Sequence, residues 1–191
     1  MVSGAHGLRP AVFLDRDGVI VVPEFRDRRS FAPKRLEDFR FYPEAAASLQ
    51  RLKGAGFILA VITNQPDVGN GLIARSEVDA MHDTMRRELP VDAVKACFCF
   101  HRQGDGCNCR KPKPGMILEA AVELGVNLNK SFMVGDRSSD VEAGRAAGCA
   151  TVFIDLGYDE PAPDAPDYVV HSIMEAADVI IETAQTPQEG P

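Results

Sequence analysis

Apolar and polar positions along the chain alternate in blocks that predict strands and helices in turn. Residues 11–14 are apolar on both faces of an extended segment, which is typical of a buried central strand of a parallel sheet. Residues 43–54 instead carry apolar side chains at helical spacing, with a proline suited to the first turn and glycines suited to the end. The repeated alternation predicts parallel strands covered by helices on both faces.

The same criteria place the remaining elements. Further strands are predicted at 57–62, 94–100, 131–135, 150–154 and, at an edge, 167–171, and further helices at 75–89, 114–125, 138–147 and 173–183. Two stretches show no period and are interpreted as a long loop over the strand ends (21–40) and a glycine-rich turn (66–71). The predicted fold class is α/β, a Rossmann-like doubly wound parallel sheet, with no large cap domain.

The limits of the regular pattern divide the chain into three parts. Residues 1–10 are interpreted as a loose leader, residues 11–184 as one domain and residues 185–191 as a tail. A chain of 191 residues is long enough for one domain with a substantial core.

Composition and charge exclude several classes of function. Apolar residues make up 45% of the chain and charged residues 26%, which is ordinary for a globular protein. A net charge of −7 argues against a broad surface for nucleic acids or anionic membranes. No apolar run is long enough to cross a membrane, and residues 1–10 lack the apolar core of a signal peptide. We therefore expect a cytoplasmic protein without nucleic-acid or membrane partners. We also expect a monomer, although composition does not determine this.

Two aspartates follow the first strand directly. Asp15 and Asp17 fall where open α/β sheets place their ligands, and Gly18 permits a tight turn. Carboxylates this close repel each other, and a cation would allow both to stay charged. Calcium loops share this spacing, but their further oxygen ligands do not follow here. A capping aspartate at a strand end is the simpler alternative.

Other polar residues lie after the later strands or just before a helix. Because the ends of parallel strands meet at one rim, we expect these residues to lie near the two aspartates. In order and type, the set resembles the four motifs of the haloacid dehalogenase (HAD) superfamily over about residues 12–140. The residues that complete it are Thr63, Asn64, Lys111, Asp136 and Asp140.

The resemblance implies phosphoryl transfer. Asp15 would be the nucleophile that forms an aspartyl-phosphate, and Asp17 the acid for the leaving oxygen and then the base for water. Mg²⁺ would be held by Asp15, Asp136 and the backbone carbonyl of Asp17. The superfamily's dehalogenases lack an acid at the position of Asp17, so its presence favours a phosphatase or phosphotransferase.

The remaining residues of the set would surround the phosphate. By the same resemblance, Thr63 and Asn64 would bind its oxygens and Lys111 would offset its charge. Asp140 would be either a metal ligand or a support for Lys111, and the sequence leaves both open. For Asp136, capping of the following helix is the structural alternative.

Four of the five cysteines fall between positions 97 and 109. Three of these cysteines and His101 would form a closed tetrahedral set of ligands, which is typical of structural zinc. The sequence therefore predicts a zinc loop over residues 97–113. Unliganded thiols are the alternative, and Cys97 and Cys149 are interpreted as small apolar core residues. The predicted zinc ligands are Cys99, His101, Cys107 and Cys109.

The cysteine-rich loop and the run Arg110-Lys111-Pro112-Lys113-Pro114-Gly115 narrow the resemblance. Over about residues 9–181 the chain is similar to the heptose bisphosphate phosphatase family and the related histidinol-phosphate phosphatase domain. The first likeness implies Mg²⁺-dependent removal of the 7-phosphate of D-glycero-D-manno-heptose 1,7-bisphosphate, with Arg110 on the distal phosphate. For Arg110, the alternative is a solvated surface side chain. For the function, the alternatives are a phosphatase of histidinol phosphate or other small phosphomonoesters and a non-catalytic zinc-stabilised binding protein.

One segment departs from the family pattern. After Thr-Asn-Gln the family usually continues Ser-Gly-Ile-x-Arg-Gly, whereas this chain has Pro-Asp-Val-Gly-Asn-Gly at 66–71. A cation expected near position 70 is missing, and Asp67 adds a carboxylate. A second phosphate should be bound less tightly as a result, unless Arg26, Arg28 or Arg29 compensates.

Overall fold

The computed structural model describes residues 7–26, 29–98 and 107–186, and its centre is a sheet of six parallel strands. The strands of that sheet are β1 (Ala11–Leu14), β4 (Ile58–Asn64), β5 (Ala93–Cys97), β6 (Phe132–Gly135), β7 (Ala150–Ile154) and β8 (Tyr168–Val170). Two further strands, β2 (Glu24–Arg26) and β3 (Arg29–Phe31), form a separate antiparallel hairpin. The order across the sheet is β5-β4-β1-β6-β7-β8, so β1 is central.

Helices cover both faces of this sheet. They are α1 (Ala45–Gly54), α2 (Pro66–Gly69), α3 (Arg75–Glu88), α4 (Gly115–Leu124), α5 (Ser138–Ala147) and α6 (Ile173–Gln185), with 3₁₀ turns at Leu36–Asp38 and Leu128–Lys130. The predicted doubly wound α/β fold is confirmed. Among the described helices, none combines the length and the apolar character that crossing a bilayer requires.

The four side chains of β1 explain why its sequence is apolar without interruption. All four are completely buried. Val12 and Leu14 belong to the core formed with α1, α3 and α6, whereas Ala11 and Phe13 belong to the core formed with α4 and α5. A strand covered on both faces needs apolar residues at every position. The carboxyl end of β1 is thereby placed in the middle of the sheet.

The predicted loop at 21–40 contains regular structure that the sequence did not indicate. The β2–β3 hairpin and the first 3₁₀ turn lie inside it, and the predicted turn at 66–71 begins with α2. Each hairpin strand has three residues, too few to show a period. Arg137 fixes the hairpin by donating a 2.9 Å hydrogen bond to the carbonyl oxygen of buried Ser30.

The beginning of the described chain is tied to the sheet. Arg9, near the end of the predicted leader, donates from its backbone to the carbonyl of Gly125 at 3.1 Å and accepts from the backbone of Asn127 at 2.8 Å. Residues 1–6 and 187–191, which hold most of the predicted leader and tail, lie outside the described residues.

Candidate active site

The carboxyl ends of β1, β4 and β6 meet at one rim, as the sequence predicted. Leu14 lies opposite Val61 of β4 and Val134 of β6, so the residues that follow these strands converge. A cavity of about 470 Å³ opens at this rim. The predicted site residues that line it are Asp15, Asp17, Thr63, Asn64, Arg110, Lys111 and Asp140.

Lys111 is the buried cation at the floor of the cavity. It is 3% exposed, and its Nζ lies 2.8 Å from Oδ1 of Asp15 and 2.6 Å from Oδ1 of Asp140. It also donates to the carbonyl of Ile62 at 2.7 Å. Burial lowers the pKa of Lys111, but the charges of Asp140 and Asp15 outweigh burial and raise it overall. The contact with Asp140 agrees with the support role considered for that residue.

Asn64 holds the chain segment that carries Lys111. Its Oδ1 accepts from the Lys111 backbone N–H, and its Nδ2 donates to the Lys111 carbonyl, both at 3.1 Å. The sequence predicted that the Asn64 side chain binds phosphate. In the structure its two hydrogen bonds to the backbone of Lys111 also position that lysine. Neighbouring Thr63 accepts a 2.9 Å hydrogen bond from Gln65, which leaves the threonine proton available for another acceptor.

Three carboxylates form a group that could hold a divalent cation. Asp15, Asp136 and Asp140 are all buried, and one oxygen from each lies within 4.8 Å of the others. Within the described part of the chain, Oδ1 of Asp136 is buried and accepts no hydrogen bond. Burial, followed by the charges of Asp15 and Asp140, raises the pKa of Asp136 well above its usual value. These residues fit Mg²⁺, which takes carboxylate oxygens as ligands.

The charge of the cavity leads to the same conclusion. Its lining includes five carboxylates, namely Asp15, Asp17, Asp67, Asp140 and Glu160, but only three cations, Arg110, Lys111 and Arg137. A phosphate ester entering such a cavity would meet net negative charge. A divalent cation beside Asp136 would reduce this negative charge and favour the binding of an anionic substrate.

Two glycines leave the space that the side chains of Asp136 and Asp140 occupy. Gly18 has φ +88°, and a Cβ there would lie 2.0 Å from Oδ2 of Asp136. A Cβ at Gly135 would lie 2.1 Å from Cβ of Asp140. The tight turn predicted at Gly18 is present, and both positions exclude any larger side chain.

Asp17 is held by two residues that the sequence did not single out. Arg16 Nε lies 3.1 Å from each of its oxygens, and Arg16 Nη2 donates to Oδ2 at 2.8 Å. Gln65 donates from Nε2 to the same Oδ2 at 3.2 Å. The only sequence signal for Arg16 was its position between two aspartates inside an apolar stretch.

Tyr158 is a further residue without a sequence signal. It lies in the loop between β7 and β8, and its hydroxyl donates to Oδ2 of Asp136 at 2.7 Å. Its ring packs on Phe25 of the hairpin at 5.5 Å between centroids. Burial is the main cause that raises the pKa of Tyr158, so its hydroxyl stays protonated and can donate.

The structure revises the interpretation of Cys97. Its side chain is buried, but its sulfur lies 3.0 Å from that of Cys109, and Cys107 joins them within 4.8 Å. Cys97 is therefore part of the thiol cluster and not simply an apolar core residue. The predicted ligands Cys99 and His101 lie outside the described residues. Burial raises the pKa of the Cys149 thiol to about 12, which keeps it neutral.

In the segment that departs from the family pattern, the extra carboxylate of Asp67 lies close to a lysine that the sequence analysis did not consider. Asp67 lies 3.7 Å from the Nζ of Lys34, with both side chains partly exposed. Of the three arginines proposed to compensate, Arg26 pairs with Glu24, Arg28 lies outside the described residues, and Arg29 is exposed and does not line the cavity. Lys34 therefore offsets the extra carboxylate.

Together, the parallel sheet, the Asp-x-Asp turn after β1 and the lysine that bridges two acids define a hydrolase of the HAD class. The sequence pattern of the HAD-hydrolase-like family matches residues 108–176. The D-glycero-beta-D-manno-heptose-1,7-bisphosphate 7-phosphatase of Rhodopseudomonas palustris is 40% identical over 150 residues, which cover 73% of this chain and 80% of that protein. The protein of the same name from Pasteurella multocida is 32% identical over 91% of this chain and 97% of its own length.

Solved structures agree with these relatives. The D,D-heptose 1,7-bisphosphate phosphatase of B. bronchiseptica, complexed with magnesium and phosphate, superimposes with a TM-score of 0.76 at 29% identity, covering 92% of this chain and 99% of that one. The chain belongs to the heptose-1,7-bisphosphate 7-phosphatase family of HAD-like hydrolases. It is an enzyme of the phosphatase class.

Proposed function

We propose that this enzyme removes the 7-phosphate of D-glycero-β-D-manno-heptose 1,7-bisphosphate in a Mg²⁺-dependent reaction. The observation that carries the proposal is Lys111, which bridges Asp15 and Asp140 at the cavity floor beside Asp136. The cavity of about 470 Å³ is large enough for a sugar bisphosphate. The names of the two relatives described above support the β-anomer.

The reaction needs a nucleophile and a proton carrier on opposite sides of the phosphorus. An oxygen of Asp15 would attack phosphorus while the bond to the sugar 7-oxygen breaks, and Asp17 would protonate that oxygen. Water would then attack the aspartyl-phosphate and lose its proton to Asp17, which frees Asp15. Bound Mg²⁺, held by Asp15, Asp136 and the Asp17 carbonyl, would supply charge that stabilises the phosphoryl oxygens.

The residues around this pair would bind the transferring phosphoryl group. Lys111 would offset the charge shared by the group and Asp15, and Thr63 would donate its available hydroxyl proton to a phosphoryl oxygen. Asn64 would act through Lys111, whose backbone it holds.

Arg110 would bind the 1-phosphate. Among the cavity cations of the described chain, Arg137 pairs with Glu160 at 3.4 Å and Lys111 pairs with two aspartates. Arg110 lines the cavity without a carboxylate partner in that part of the chain. An arginine that is not already neutralised gains most from a bidentate contact with phosphate.

A structural zinc site would place this arginine. Cys97, Cys107 and Cys109 would supply three thiolates, and Cys99 or His101 would supply the fourth ligand. Cys109 directly precedes Arg110 and Lys111 in the chain. Zinc bound to Cys109 would therefore also fix the backbone position of these two residues.

Phosphate release from both anomers of the heptose bisphosphate, with histidinol phosphate alongside, tests the proposal. We expect the β-anomer to be hydrolysed fastest in Mg²⁺, and the Asp15→Asn variant to fold but release no phosphate. A preference for histidinol phosphate would refute the substrate. Substantial turnover by Asp15→Asn would refute the nucleophile.

A further inference from the structure

The largest fully buried side chain outside the hydrophobic cores is that of Arg16, which is 0% exposed. A buried guanidinium is costly unless its donors are satisfied. Here Nε and Nη2 bind Asp17, and Nη1 lies 3.3 Å from Nε2 of His82 on α3. The guanidinium carbon also lies 5.6 Å from the centre of the Phe39 ring. All three nitrogens of this cation and one of its faces therefore have partners.

His82 completes this arrangement because it is neutral. It is 3% exposed, and burial, followed by the charges of Arg16 and Arg86, lowers its pKa to about 3. An arginine has no hydrogen-bond acceptor, so Nε2 of His82 must accept from Nη1. The imidazole proton then resides on Nδ1, and α3 is linked to Asp17 through Arg16.

The hydrogen bonds distinguish the two oxygens of Asp17. Oδ2 accepts from Arg16 Nε, Arg16 Nη2 and Gln65 Nε2, whereas Oδ1 accepts, among the described residues, only from Arg16 Nε. A carboxylate oxygen with three donors has little capacity for a further proton. Oδ1 is the oxygen left to exchange a proton with the substrate.

We propose that Arg16 and His82 are positioning residues, which together hold Asp17 so that Oδ1 faces the leaving group. This inference rests on the proposed function, because it takes Asp17 as the acid. His82 acts through Arg16 and touches neither the substrate nor Asp17. Its contribution should therefore depend on how strongly the leaving oxygen needs a proton.

Single-turnover release of the leaving group separates positioning from a structural role. Heptose bisphosphate has an alcohol leaving group that needs the acid, whereas 4-nitrophenyl phosphate has a leaving group that needs it little. We expect Asp17→Asn to slow the sugar ester by roughly 100-fold or more and the aryl ester far less. His82→Phe should show a weaker form of this pattern, about 10-fold for the sugar and about 2-fold for the aryl ester, because the acid is displaced but present.

Three further variants complete the test. His82→Gln returns an acceptor for Nη1 and should recover most of the sugar-ester rate, while Arg16→Lys removes the planar fork and should reproduce the selective loss. His171→Phe, the same substitution at an exposed histidine, should change neither rate. Melting temperatures report whether each variant is folded.

The outcomes separate this inference from the proposed substrate. Equal losses on both esters in folded His82→Phe, or no loss on either, would overturn the positioning role. A wild-type enzyme that cleaves 4-nitrophenyl phosphate and another alkyl phosphate but not the heptose would refute the substrate alone, and the alkyl ester then replaces it in the comparison. A wild-type enzyme inactive on every ester would refute both.

Discussion

The hydroxyl of Tyr158 donates a 2.7 Å hydrogen bond to Oδ2 of Asp136. This bond fixes one oxygen of the carboxylate, while Oδ1 is buried and accepts no hydrogen bond from the described residues. Residues that orient a metal ligand from outside its coordination sphere affect metal affinity strongly. Tyr158 would therefore influence the proposed Mg²⁺ site without touching the ion.

Replacement of Tyr158 by phenylalanine should weaken Mg²⁺ binding by roughly 10-fold. The ring remains on Phe25, so the change removes only the donor to Asp136. Isothermal titration with Mg²⁺ alone measures the effect without any substrate. Tyr168→Phe is the matched control, because its hydroxyl bonds Thr183 far from the acids. Unchanged Mg²⁺ affinity in Tyr158→Phe would contradict the orienting role.

Loss of the Lys111 cation should destabilise the fold as well as abolish activity. Lys111→Met leaves Asp15 and Asp140 buried beside each other without a counter-charge. Breaking a buried ion pair by removing one partner typically costs about 3–5 kcal/mol. Urea unfolding of this variant beside Lys113→Met, an exposed neighbour, measures the difference. Equal stabilities would mean that the carboxylates take up protons or move apart.

A methyl group at Gly135 should disturb the site through Asp140. The added Cβ would lie 2.1 Å from Cβ of Asp140, so the carboxylate that holds Lys111 must move. Overpacking of this kind costs about 1–3 kcal/mol. Gly54→Ala, at the end of α1 with open space around it, should be neutral or stabilising. Thermal melts and activity assays of both variants compare the sites, and a fully active Gly135→Ala would disprove the constraint.

Stability should depend on pH through His82. Its pKa falls from 6.5 in the unfolded chain to about 3 in the folded protein, so between these values only the unfolded chain binds the proton. Stability is therefore lost as pH falls below about 6.5, by about 2 kcal/mol between pH 7 and pH 5. Urea unfolding at several pH values should show a smaller decline in His82→Gln. Parallel curves for the two proteins would show that His82 is protonated in the fold.

Zinc content should depend on Cys97. Elemental analysis of Cys97→Ser should show loss of bound zinc, because serine cannot replace a thiolate ligand. Cys149→Ser, also buried but outside the cluster, should retain the metal. Full zinc in folded Cys97→Ser would return Cys97 to the apolar role that the sequence favoured.

The sheet and the principal acids were predictable because their sequence signals are local and strong. Continuous apolar runs such as residues 58–62 occur where a strand is covered on both faces. Asp15 and Asp136 follow such strands directly, and the geometry of a parallel sheet brings them together. Their chemical roles remain predictions, whereas their proximity is a property of the fold.

The residues that the sequence did not reveal depend on tertiary contacts. Tyr158 lies in an irregular loop whose path only the folded chain defines. The burial of Arg16 could not be inferred, because a charged side chain is usually exposed unless partners enclose it, and His82 lies 66 positions away. For the cysteines, spacing favoured Cys99 and His101 beside Cys107 and Cys109, and only the folded chain shows that Cys97 lies in the same cluster.

The position of Lys111 between its two partners along the chain has a consequence for biosynthesis. Asp15 lies well before it, and Asp140 emerges from the ribosome only after it. A growing chain that has reached Lys111 thus carries this lysine with only one of its carboxylate partners, and β6 has yet to pair with β1. Lys111 can therefore make both of its carboxylate contacts only after residue 140, on α5, has been synthesised.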